Sequence, residues 1–66
     1  MPVIRVELLA GRSVEQKREF ARSVTELASD VLGCSQAAVA VIFDDVARHD
    51  WANGGHLESD KAAGKT

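Results

Sequence analysis

Tyrosine is absent from this 66-residue chain, and cysteine, proline, tryptophan and methionine occur once each. A single cysteine, Cys34, closes no internal disulfide, and no cluster of cysteine and histidine has the spacing of a zinc site. An excess of positive charge is missing too: eight basic residues stand against ten acidic ones, for a formal net charge of -2. That balance, with no basic run, argues against nucleic-acid binding, which depends on neutralising phosphates. Long apolar stretches are also lacking. The longest, residues 37–43, has seven residues, where a bilayer span needs about 20. No basic segment followed by an apolar one opens the chain, as a secretory signal would. These absences leave the expectation of a soluble, cytoplasmic protein with neither a membrane nor a nucleic acid as partner.

What is present fits one small domain, residues 1–66, in which 45% of residues are hydrophobic. A chain this short buries a modest fraction of its surface and is marginal alone. With disulfide and metal set aside, oligomerisation is the expected reinforcement.

Residues 2–9 alternate at the period of a strand, with Ile4, Val6 and Leu8 on one face and Val3, Arg5 and Glu7 on the other. Pro2 is tolerated at the strand's start, where it need not donate to a ladder. Residues 10–12 break the pattern as a loop. Ser13 and Gln16 then have the spacing of a capping box, and Glu15 puts negative charge in the first turn of a helix. Phe20, Val24, Leu27 and Val31 recur at helical spacing, flanked by Ala21, Ala28 and Leu32, while Lys17, Arg18, Glu19, Arg22, Glu26 and Asp30 mark a polar face. Gly33 is a natural left-handed C-cap. The helix of about 20 residues spans roughly 30 Å.

Residues 39–43 read as a second strand, which Asp44 and Asp45 would end as solvated charges. Strand, helix, strand is a βαβ unit with parallel strands. Residues 47–57 are turn-like, with Gly54 and Gly55 placed to turn a small hairpin, and residues 58–66 are expected to fray. One helix covers only one sheet face. Apolar residues on both sides of strand two (Val39, Val41 and Phe43 against Ala40 and Ile42) predict that the other face also meets protein, most simply another copy.

Two residues have chemical potential. Removal of Met1, which a small second residue favours, leaves Pro2 as a secondary amine. Ordinary α-amino groups titrate near 7.7–8.0, and burial or a nearby cation disfavours the protonated form. Such an amine can serve as general base and then general acid. Arg12 lies beside a helix N-terminus, a setting that favours anions, and its guanidinium can hold a carboxylate bidentately. On residue type alone, a common Met-Pro start and a solvated surface arginine are the plainer readings. His49 and His56 sit in a turn-rich segment and read as surface residues, Cys34 as a small packed residue, and Trp51 as interface packing.

Pro2 with residues 3–9, then Gly11-Arg12-Ser13-Val14-Glu15-Gln16-Lys17, resembles the opening of the 4-oxalocrotonate tautomerase family. Residues 38–43 and His49-Asp50-Trp51-Ala52-Asn53-Gly54-Gly55 resemble its second half in order and spacing, so the likeness runs from Pro2 to about residue 57. The resemblance implies a homo-oligomer, commonly a hexamer built as a trimer of dimers, with C-terminal hairpins joining neighbours. It implies an isomerase that moves a proton on an enol or 2-keto acid without metal or organic cofactor. The position matching Pro2 is the catalytic base, that matching Arg12 binds a substrate carboxylate, and that matching Trp51 is an aromatic wall, usually Phe.

The chain departs from the family at Ala40, which aligns with a second arginine that polarises the substrate's carbonyl end. Losing such an electrostatic stabiliser costs about 10²–10³ in rate. Arg5 or Arg48 from a neighbouring subunit are the available replacements. The superfamily's dehalogenase and hydratase branch uses the same proline with a carboxylate that activates water. The aligned residue here is Asn53, a neutral amide, with Asp50 nearby. Decarboxylation or hydration on the same amine, and a non-catalytic role in a mixed oligomer, are the alternatives to tautomerase chemistry.

Overall fold

The computed structural model describes residues 1–62. The chain runs β1 (Val3–Leu9), α1 (Val14–Leu32), β2 (Ala40–Val46), β3 (Ala52–Asn53), β4 (His56–Leu57) and α2 (Glu58–Ala62), with 3-10 turns at Gln36–Ala38 and Arg48–Asp50. β1 and β2 pair in parallel, from Val3 opposite Ala40 to Leu9 opposite Val46, and β3 and β4 form an antiparallel hairpin. This is the βαβ unit with a small C-terminal hairpin that the sequence predicts.

Local chemistry sets the boundaries of α1. Ser13 Oγ accepts from the Gln16 amide at 3.1 Å and Gln16 Oε1 from the Ser13 amide at 2.9 Å, closing the capping box. At the far end Gly33, at φ 71° and ψ 34°, takes the left-handed conformation that a side chain would strain, and its amide bonds to the Ser29 carbonyl. The Ser29 hydroxyl donates to the Cys34 carbonyl at 2.5 Å, fixing the exit of the chain around a half-buried Cys34. Gly54 and Gly55, both at positive φ, turn the hairpin as the sequence requires.

The helix buries only part of the apolar face that the spacing marks. Ala28 is the only buried residue among those described, with Ala21 and Val24 half-buried beside it. Phe20, Leu27 and Val31, which the spacing puts on that same apolar side, are 45%, 61% and 72% exposed. Alanines let the helix approach the two strands closely, which turns the bulky residues towards a surface that one chain does not supply. Phe20 still reaches Phe43 edge to face, with ring centroids 6.0 Å apart.

Two boundaries also differ. β2 extends to Val46, so Asp44 and Asp45 lie inside it rather than ending it, because β1 offers ladder partners as far as Leu9. Glu58–Ala62, expected to fray, is helical: the Glu58 amide donates to the Trp51 carbonyl at 2.8 Å, and its carboxylate accepts from Asn53 and Lys61. The rest of that expected tail, residues 63–66, lies outside the described residues.

The shape agrees with an incomplete core. The radius of gyration is 15.5 Å, against about 11 Å for a self-contained chain of this length. No helix among the described residues is long and apolar enough to cross a membrane.

Candidate active site

Pleating assigns each strand residue to a face. Ile4, Val6, Leu8, Val41 and Phe43 are half-buried towards α1, while Val3, Arg5, Glu7, Ala40, Ile42 and Asp44 are exposed on the opposite, open face. The loops at the C-terminal ends of both strands carry Arg12 and Trp51, whereas Pro2 precedes β1 at the other end, its carbonyl accepting from the Ala40 amide at 3.0 Å.

Arg12 stands at the rim of an apolar cleft of about 340 Å³ between α1 and the sheet, lined by Val6, Leu8, Gln16, Lys17, Phe20 and Phe43. Lys17 Nζ donates to Asp45 Oδ2 at 2.6 Å, so its charge is already matched. Arg12 makes no ion pair among the described residues and is exposed. The cleft therefore offers one cation to an incoming anion and an apolar wall to its tail. Sequence reasoning singled out Arg12 but missed Gln16 and Phe20, whose helical spacing from Ser13 was the available signal.

Trp51, half-buried, lines a separate depression of about 280 Å³ on the open-face side with Glu7, Val46, Asp50 and Ala52. Its carbonyl is tied to Glu58. Hydrogen bonds from Lys61 and then Asn53 hold the Glu58 carboxyl below the ordinary glutamate range. Asn53 thus spends its amide on Glu58 at 3.1 Å and carries no carboxylate of its own. His49 and His56 are exposed, His49 lying 3.5 Å from Asp50.

The three residues singled out in the sequence are not brought together within one chain. Pro2 and Arg12 are divided by the length of β1, about 20 Å at strand rise, and Arg12 and Trp51 line different depressions. The two replacements for an arginine at Ala40 separate as well. Arg5 shares the open face with Ala40, one rung along the ladder. Arg48 lies at the opposite end, where its charge helps hold Glu58 ionised.

A parallel βαβ unit with a cationic loop after β1 and a tryptophan just before the C-terminal hairpin matches a known family. The family model described as tautomerase enzyme covers residues 2–61, and the chain belongs to the tautomerase family. A probable tautomerase from Lactococcus lactis subsp. lactis is 39% identical over 61 residues, covering 92% of this chain and 100% of its own. A solved 4-oxalocrotonate tautomerase homologue is 50% identical with a TM-score of 0.88, over 91% of this chain and 95% of its own. A heterohexameric 4-oxalocrotonate tautomerase from Chloroflexus aurantiacus is 33% identical with a TM-score of 0.85, over 91% of this chain and 97% of its own. Within the family, sequence and fold are those of a 4-oxalocrotonate tautomerase-like isomerase.

Proposed function

We propose that this enzyme catalyses cofactor-free keto–enol proton transfer on a small 2-hydroxydienoate or 2-keto acid, in a site shared between copies of the chain. With Met1 removed, the neutral Pro2 nitrogen takes a proton from the substrate's enol oxygen or activated carbon. The resulting prolinium returns it to a different carbon, so the nitrogen ends as it began. Arg12 of a neighbouring copy holds the carboxylate, and Trp51 limits water around the amine. The observation that carries the reading is the pairing of an exposed, carboxylate-free Arg12 with an apolar cleft, a combination suited to an acid with a nonpolar tail.

The separation of Pro2 from Arg12 supports assembly from several copies, and a homohexamer arranged as a trimer of dimers is the form proposed. The test is the ketonisation rate of phenylpyruvate enol and of 2-hydroxymuconate by protein whose intact mass shows loss of Met1. A rate no greater than buffer for both substrates overturns the reading.

The heterohexameric relative supports a second reading, in which this chain works beside a different subunit. Under it, the chain alone is inactive and a second tautomerase chain restores the rate.

A further inference from the structure

The Arg12 cleft holds a second polar group whose orientation is fixed by the start of α1. Gln16 Oε1 accepts from the Ser13 amide at 2.9 Å. A backbone N–H can only donate, so the Gln16 side chain must present its oxygen to Ser13 and turn its NH2 away. Ser13 Oγ meanwhile accepts from the Gln16 backbone amide at 3.1 Å. The capping box therefore uses one end of the Gln16 side-chain amide and leaves the other unused. Its two N–H donors have no partner among the described residues, and Gln16 is exposed along the wall of the cleft. The other lining groups offer no competing donor. Lys17 is matched by Asp45 at 2.6 Å, and Val6, Leu8, Phe20 and Phe43 are apolar.

We propose that Gln16 is a specificity residue of this cleft: its NH2 donates to the carboxylate that Arg12 holds, so that one copy of the chain binds a small acid with an apolar tail at two points. Arg12 immediately precedes the N-cap Ser13, and Gln16 lies in the first turn, so the two donors sit on either side of the capping box. The bond that caps the helix is the one that aims the Gln16 amide, and a donor already held in place loses little freedom on binding. A hydrogen bond from a neutral amide to a carboxylate is charge-assisted, and the apolar walls of the cleft strengthen it. The assignment rests on the carboxylate substrate proposed above and concerns its recognition, not the proton transfer.

Nuclear magnetic resonance titration with hydrocinnamate, which has the carboxylate and the apolar tail but no keto group to enolise, tests it on wild type, Gln16→Glu and Ser13→Ala. Glutamate at the third helical position keeps the capping box but sets an anion where the NH2 stood. Gln16→Glu should therefore keep the wild-type urea midpoint and bind hydrocinnamate about tenfold or more weakly. Ser13→Ala should do the reverse, lowering the midpoint while keeping the affinity, because the Ser13 backbone amide still orients Gln16. Hydrocinnamyl alcohol, which lacks the charge, should bind all three alike, and in wild type the Gln16 NH2 signals should shift with the acid. Four results overturn the assignment: Gln16→Glu binding the acid as wild type does, Gln16→Glu weakening acid and alcohol equally, affinity that follows the urea midpoint across the variants, or a wild type that does not bind the acid. No turnover is needed. Protein that binds the acid through Gln16 yet leaves phenylpyruvate enol unchanged loses only the proposed function, and an active enzyme indifferent to Gln16→Glu loses only this residue's role.

Discussion

Arg12 and Lys17 share the rim of one cleft, yet only Lys17 has a carboxylate to neutralise it, Asp45 at 2.6 Å. The distinction separates a binding cation from a structural one. Arg12→Ala should raise KM for carboxylate substrates about tenfold or more, as loss of a charge-assisted hydrogen bond does, with a smaller change in kcat. Lys17→Ala should leave KM within about twofold and, for a partly exposed pair, lower stability by about 0–1 kcal/mol. Steady-state kinetics on phenylpyruvate enol and urea melts check both. Equal KM effects would mean that the cleft binds through its summed charge rather than through Arg12.

Pro2→Ala replaces a ring amine with a flexible primary one. Loss of a positioned general base costs about 10²–10⁴ in rate, so kcat should fall by that order while sedimentation stays unchanged. In the wild type, protonation disables the base, so kcat/KM should decline as pH falls through the amine's titration. A profile flat from pH 5 to 9 would remove Pro2 from the chemistry.

Glu58 makes the C-terminal segment acid-sensitive. Its carboxyl is held below the ordinary range by Lys61 and Asn53, so the folded state favours the ionised form. That contribution is fully present above the ordinary glutamate value of about 4.3 and disappears as pH falls through the lower, folded value. Trp51 fluorescence should therefore change in acid, with a midpoint below about 4.3. Glu58→Gln should abolish that transition while preserving the hairpin.

Ser13→Ala removes half of the capping box. The expected loss is about 1 kcal/mol, seen as a lower urea midpoint with an unchanged slope. Ser13→Asp, another good cap, should retain most of the wild-type stability.

The elements written into local sequence were legible before any coordinates. Ser13, Gln16 and Gly33 bound the helix because caps are settled by residues a few positions apart, and the alternation of residues 3–8 assigned the faces of β1 correctly. Features set by partners far along the chain were not. The extension of β2 through Asp44 and Asp45 depends on β1 continuing alongside, and α2 depends on hydrogen bonds back to Trp51 and Asn53. Helical spacing grouped Phe20 with Val24, but it could not say which flank the two strands would cover. The site divides in the same way. Pro2, Arg12 and Trp51 were recognisable one by one, whereas their placement at opposite ends and in different depressions follows from parallel strand direction and pleating.

A molecule in which Ala28 is the only buried residue among those described has little to hold its shape in isolation. Unfolding and subunit release then become one equilibrium, and the melting temperature rises with protein concentration. Specific activity should decay on serial dilution and return on reconcentration. Substitutions at Leu27 or Val31, exposed on α1 and outside the Arg12 cleft, should act by shifting the concentration at which activity disappears.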